Sequence, residues 1–277
     1  MQRHKNILAA VDGSEAGFNA LSESIRLARW NRGRVTALLT TPPYDGDLSL
    51  VGVKNPQGAI LGPLKETLEK TLDLAEASGT HVWTVCEQGE LHERLAATAA
   101  SRNVDLIVLG VSGKYSFLKA LMGDTVSGLL QASGKDVLTL PERATLGWEK
   151  MLFLVADDDS GDDACGRAIE VAASYGGSMK ILPLGSCGES PNEASTGMGG
   201  RLSEIQAMAA RAGVASEPVL KRGSALKAIE RALQEHDPDI IVTALRGKTG
   251  LAGFCSGSII ERIVYGFSRP VLVLGRG

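Results

Sequence analysis

Aromatic residues make up only 4% of the 277-residue chain. A core must then be built from aliphatic and small side chains, and the stacking platforms that hold single-stranded nucleic acid are in short supply. Runs of Lys or Arg are missing too, and the formal net charge is −3. The electrostatic footprint of a DNA or RNA partner is therefore absent, and no nucleic acid is expected. Cysteine is sparse: Cys86, Cys165, Cys187 and Cys255 form no CxxC pair. That spacing predicts free thiols, buried or partly buried, in a reducing compartment rather than a disulfide framework or a zinc site. His4, His81, His92 and His236 likewise lack metal-ligand spacing, so no metal site is expected. Long apolar runs are missing as well. The opening MQRHKNILAAVDGSE has a short apolar stretch broken by Asp12, too short for a signal-peptide core or a membrane span. No membrane partner is expected, and cytoplasmic residence follows as the default.

What is present is an ordinary globular composition, 44% hydrophobic and 22% charged, at a length that suits two domains. The chain repeats itself. KNILAAVD (Lys5 to Asp12) matches KMLFLVAD (Lys150 to Asp157) at an offset of 145 residues. NVDLIVLGVSGK (Asn103 to Lys114) matches DPDIIVTALRGK (Asp237 to Lys248) at an offset of 134, a register that carries DVLTL (Asp136 to Leu140) onto PVLVL (Pro270 to Leu274). The fall in offset means that copy two lacks residues in its middle, most simply the counterpart of the Pro/Gly-rich stretch Thr41 to Pro63. Two tandem domains are expected, residues 1–145 and 146–277.

Apolar runs at Asn6–Val11, Val35–Leu39, His81–Cys86, Asp105–Leu109 and Val137–Leu140 read as strands buried on both faces. Helical stretches lie between them, at Glu15–Trp30, Leu64–Ala77, Glu90–Ser101 and Asp124–Ala132. In the second of these, Leu64, Leu68, Leu72 and Ala75 fall on one face. Ser14 and Ser224 are positioned as N-caps. The alternation predicts βαβ units, hence an α/β fold of two doubly wound, five-stranded parallel sheets. Ligands of such sheets sit beyond the carboxyl ends of the strands, so chemistry is sought there.

Just past the fourth strand, copy one carries Gly110, Gly113, Gly123 and Asp124; copy two carries Ala244, Gly247, Gly257 and Ser258 in the same register. Glycines there let backbone approach a ligand and leave helix-terminal N–H groups free for an anion. Tight strand-to-helix turns explain the same glycines equally well. GKT at Gly247 to Thr249 is not a Walker loop, because the first glycine of that motif would fall on Val242, inside a strand.

These stretches, together with VDGSE at Val11 to Glu15, resemble the universal stress protein family, whose motif is G-x-x-G, nine residues, then G-S or G-T. The resemblance covers nearly the whole chain twice and implies tandem domains of the adenine nucleotide alpha hydrolase-like fold. It implies ATP or AMP binding in some members, with Mg²⁺ accompanying ATP, and no nucleotide in others. It also implies site residues: the strand-one aspartates Asp12 and Asp157, backbone at Ala10, Val11 and Ala156, and Thr40 at the end of strand two. For phosphate it implies Gly110, Gly113, Gly123 and Thr125 in copy one, and Gly247, Lys248, Gly257 and Ser258 in copy two. The closing strands, paired between subunits in the family, imply an intramolecular pseudo-dimer here, with pairing of whole chains into a homodimer left open.

Each copy departs from the motif. Asp124 stands where copy one should carry Ser or Thr, and a carboxylate ~4 Å from a phosphate oxygen costs on the order of 4 kcal/mol at an effective dielectric near 20. The missing hydroxyl bond is worth only about 0.5–1.5 kcal/mol, so repulsion is the larger effect unless Mg²⁺ bridges. Copy two keeps the last glycine and Ser258, with Arg246 and Lys248 nearby, and is the better phosphate candidate. Its acidic run Ala156 to Asp163 reads as an exposed loop leading into a helix. Three functions stay open: a nucleotide-binding stress-response sensor or regulator, an interaction module with decayed sites, and a weak ATP hydrolase. No nucleophile–base pair supports dedicated catalysis, since no histidine falls in either glycine motif.

Overall fold

The computed structural model describes residues 4–41, 56–112, 125–156, 162–184, 195–221, 223–244 and 258–275. The chain divides into two compact units, His4–Ala144 and Thr145–Gly277.

In the N-terminal unit, β1 (Asn6–Ala10), β2 (Arg34–Thr41), β3 (Val82–Gln88), β4 (Leu106–Val111) and β5 (Asp136–Pro141) alternate with four helices. These are α1 (Glu15–Asn31), α2 (Pro56–Ser78), α3 (Leu91–Ser101) and α4 (Thr125–Ser133). Hydrogen bonding orders the strands β3-β2-β1-β4-β5, every pair parallel. The order reverses between β1 and β4, which makes the crevice there the topological switch point. Ile7, Leu8, Ala9, Leu106, Ile107 and Val108 are fully buried, as strands covered on both faces require. Helices α1 and α2 touch each other and cover one face; α3 and α4 do so on the other.

Helix α1 begins where the sequence places its cap. Ser14 is extended and its Oγ accepts from Gly17 N at 3.0 Å. Its far end is closed by Arg32 in the left-handed region, whose N–H reaches the carbonyls of Ala28 and Arg29. Helix α2 departs from its leucine pattern. Its buried residues include Thr67, Thr71 and Ala75, whereas Leu72 is 48% exposed. The threonine hydroxyls donate to their own helix, Thr67 Oγ1 to Pro63 O at 2.8 Å and Thr71 Oγ1 to Thr67 O at 2.7 Å. Satisfied in this way, a threonine can be buried as a small branched side chain.

The C-terminal unit repeats the plan with β6 (Lys150–Ala156), β7 (Ser178–Leu184), β8 (Ser216–Pro218), β9 (Ile240–Ala244) and β10 (Val271–Leu274). They run in the order β10-β9-β6-β7-β8, again all parallel. Its helices are α5 (Asp162–Tyr175), α6 (Ser195–Arg211), α7 (Ala225–His236) and α8 (Ser258–Gly266). Ser224 stands at the N-cap of α7 but makes no side-chain cap bond.

Strand register corrects the repeat offset. Ile7 pairs with Leu106 and Met151 with Ile240, so Ile7 and Met151 are equivalent and lie 144 residues apart, not 145. Helix burial agrees: Ser24, Ile25, Leu27, Ala28 and Asn31 of α1 correspond to Ala168, Ile169, Val171, Ala172 and Tyr175 of α5. The offset becomes 134 between β7 and β8, since Val35 pairs with Val82 and Met179 with Ser216. One further device recurs in both units. Asp105 accepts from the backbone N–H groups of Lys5 and Asn6 at 3.0 and 2.9 Å, and Asp239 from those of Glu149 and Lys150 at the same distances.

Candidate functional site

Of the described site residues, Ala10, Val11, Asp12, Thr40, Gly110 and Thr125 belong to the N-terminal unit, and Ala156 and Ser258 to the C-terminal one. Ala10 ends β1 and pairs with Leu38, while the Val11 N–H donates to Leu38 O at 2.9 Å. Asp12 follows, exposed. Thr40, half-buried near the end of β2, pairs with Glu87. Gly110 lies inside β4 rather than past it, paired with Leu140. Thr125 opens α4, Ala156 ends β6 and Ser258 opens α8. Gly113, Gly123, Asp157, Gly247, Lys248 and Gly257 lie outside the described residues, as does the acidic run from 157 to 161.

Asp12 is fixed by its own loop. Its Oδ1 accepts from Ser14 N at 3.0 Å and from Ser14 Oγ at 2.5 Å, an Asx-type turn that continues into the helix cap. Among the described residues no donor reaches Asp12 Oδ2. The carboxylate is therefore held through one oxygen just past the carboxyl end of β1.

The glycines around it are explained by packing. A Cβ built on Gly110 would lie 2.5 Å from Gly17 N and closer still to the Ala16 carbonyl, so β4 touches the first turn of α1. A Cβ on Gly17 would lie 2.5 Å from Asp12 Oδ1. Gly17, which pattern reading passes over, is thus what lets the Asp12 carboxylate fold over the helix start. The available signal was a glycine in a helix first turn, where propensity disfavours it. Gly13, at φ +82°, sits against Thr67 Oγ1. At the same end of the sheet, Asn19 Nδ2 donates to the carbonyls of Pro141 and Ala144, both at 2.9 Å. Glu142, next to Pro141, shares a hydrogen bond with Glu15. That bond first, then burial and mutual repulsion, raises the Glu142 carboxyl above its usual range against a smaller opposing pull from Arg143.

In the C-terminal unit the corrected register puts Ala156 at the position of Asp12. Ala244 takes the position of Gly110 and is buried at the end of β9. Among the described residues no cluster of three or more His, Cys, Asp or Glu could hold a metal ion, and no helix is long and apolar enough to cross a membrane. Cys165 is buried, but Cys86 is exposed on edge strand β3, against the expectation for it.

Comparison with known proteins places this architecture. The model of the universal stress protein family matches residues 3–141 and again 147–275. A universal stress protein of Methanocaldococcus jannaschii is 23% identical over 145 residues, covering 50% of this chain and 82% of the relative. The crystal structure of a universal stress protein from Archaeoglobus fulgidus superposes with a TM-score of 0.74 at 20% identity, over 99% of both chains. A Pseudomonas aeruginosa protein does so with a TM-score of 0.58 at 18% identity, over 99% of this chain and 93% of its own. Two parallel α/β units in one fold, each matched by the same family model, make the chain a tandem member of the universal stress protein family.

Proposed function

We propose that the N-terminal unit holds an adenine nucleotide at the carboxyl ends of β1, β2 and β4, and that the protein acts as a nucleotide-responsive regulator of a stress response in the cytoplasm. The observation that carries this reading is Asp12, an exposed carboxylate at the switch point with one oxygen fixed by Ser14 and the other without a partner among the described residues. A ribose hydroxyl donating to Oδ2 would complete it. The Val11 N–H is already engaged with Leu38 O, so an adenine contact from Val11 has to come from its carbonyl. Ala10 and Thr40 complete the adenosine end. Gly113, Gly123 and Thr125 would receive phosphate, where Asp124 favours AMP over ATP unless Mg²⁺ accompanies the triphosphate. The C-terminal unit, with Ala156 in place of Asp12, would be the weaker adenosine site. Its phosphate candidates are Gly247, Lys248, Gly257 and Ser258.

Thermal shift measurements with AMP, and with ATP with and without Mg²⁺, test the reading. Ligand at about 100 times its Kd should stabilise the protein by about 2.7 kcal/mol, visible as a raised melting point. At the same ligand concentration the rise should fall to about half or less in Asp12→Ala, the effect of a tenfold loss of affinity. A melting point unmoved by every nucleotide, with none copurifying, overturns it. The second reading, an interaction module without nucleotide, draws on Gly110, whose missing side chain is already required by α1; it predicts that flat titration.

A further inference from the structure

At the opposite, amino-terminal ends of the strands, the N-terminal unit has a cavity of about 150 Å³ lined by Asn6, Arg34, Thr36, Trp83, Arg102 and Val104. A cavity of roughly this size admits one six-membered ring. Its lining combines apolar Ile7, Trp83 and Val104 with the cations Arg34 and Arg102, and holds no carboxylate. Among the described residues, neither the Arg34 nor the Arg102 guanidinium has a hydrogen bond or ion pair. Trp83 is 39% exposed, an unusual place for indole. The His81 ring meets it edge-on at 4.7 Å, and Arg34 stands 5.9 Å from its ring centroid, at the outer limit of a cation–π contact.

The second copy shows that the fold does not require this arrangement. The register equivalents of Thr36 and Trp83 are Lys180 and Glu217, neighbours on β7 and β8 that close on each other as an ion pair. The hydrogen bond from Lys180 and then its charge hold the Glu217 carboxyl low, with a smaller pull from His236, which replaces Arg102. Where one unit neutralises its charges internally, the other leaves two cations and an indole open.

We propose that this cavity is a second ligand site, for a small aromatic carboxylate: one planar ring against Trp83, with its carboxylate received by Arg34 and Arg102. Arg presents the planar fork that matches a carboxylate, and Trp supplies an apolar face; a neutral ring or a ringless anion satisfies only half of the lining. A ligand of about nine heavy atoms would bind at about 0.1–1 mM.

The test titrates benzoate into the full chain while following the Trp83 indole N–H by ¹⁵N NMR, assigned with Trp83→Phe. Benzoate should shift that resonance saturably, with benzyl alcohol and acetate each about tenfold weaker. Arg34 and Arg102 are exposed, so the variant Arg34→Gln/Arg102→Gln should fold normally and lose benzoate by about tenfold or more. Asp12→Ala should leave the titration unchanged, which separates this site from the nucleotide crevice. A Trp83 signal unmoved up to about 10 mM benzoate overturns the proposal, given the affinity expected from ligand size. So do equal binding by the double variant and acetate binding as well as benzoate.

Discussion

At Gly110 the two sides of a packing contact are both backbone, and neither can rotate away. A methyl group there would meet the Ala16 carbonyl and Gly17 N, so Gly110→Ala must push α1 off β4. Overpacking of that kind should destabilise the N-terminal unit by about 1–3 kcal/mol, read from the midpoint of urea denaturation. The register-equivalent change in the other direction, Ala244→Gly, removes one buried methyl and adds backbone freedom, and should cost only about 1 kcal/mol. A Gly110→Ala change of less than about 0.5 kcal/mol would mean that the contact with α1 is not what demands glycine. This residue also marks how far sequence reading reaches. A glycine beside a strand end is compatible with a ligand or with a helix, and only the spatial neighbour, Ala16, decides between them. Asp12 and its Ser14 cap were legible because their partners lie within three residues.

The elements show the same division between local and long-range information. Strand cores and the start of α1 follow from apolar runs and a capping serine. The buried face of α2 follows only in part, because Ala75 is buried as its pattern predicts while Leu72 is exposed and Thr67 and Thr71 are buried instead. The contact of Gly13 with Thr67 Oγ1 shows how closely this helix approaches the β1–α1 loop, favouring small residues on the buried side. Leu72→Gln should therefore change stability by no more than about 0.5 kcal/mol, whereas Thr71→Leu should destabilise by about 1–3 kcal/mol through overpacking. Chemical denaturation of the two variants checks the assignment, and a larger loss for Leu72→Gln would restore the leucine face.

A pH effect belongs to this scale as well, since Glu142 links the end of β5 to the first residue of α1. Its folded-state pKa is raised, so between the ordinary carboxylate range and that raised value the folded protein binds more protons than the unfolded one. Stability from this pair is present when Glu142 is protonated and is lost as pH rises through its folded pKa. Glu142→Gln keeps a hydrogen-bond donor and removes the repulsion. It should raise the melting temperature at neutral pH and flatten its fall across the acidic side of the profile. An unchanged profile would show that Glu15 and Glu142 do not share a proton.

Across the whole molecule, duplication has kept the scaffold and let the two mouths diverge. Asp105 and Asp239 fasten the first strand of each unit through the same pair of backbone N–H groups, and α1 and α5 bury matching positions. Sequence matching aligned Asp12 with Asp157 because both end an apolar strand and share an identity. The ladder instead counts residues against β4 and β9, and it puts Ala156 in that place. An identity match can slip by one residue in a strand, and that slip exchanges the two faces of the sheet. On the proposed reading, the two units should differ in function. If adenosine is held through Asp12 Oδ2, which has no partner among the described residues, Asp12→Ala removes a charge-assisted bond and should weaken AMP by about tenfold or more. Asp157→Ala, one residue past the register equivalent of Asp12, should leave the AMP isotherm of the full chain within about twofold, the span of an ordinary surface substitution. Calorimetric titration of both variants distinguishes the alternatives. Equal losses would mean that the two mouths hold adenosine alike despite the register, and a loss confined to Asp157→Ala would move the site to the C-terminal unit.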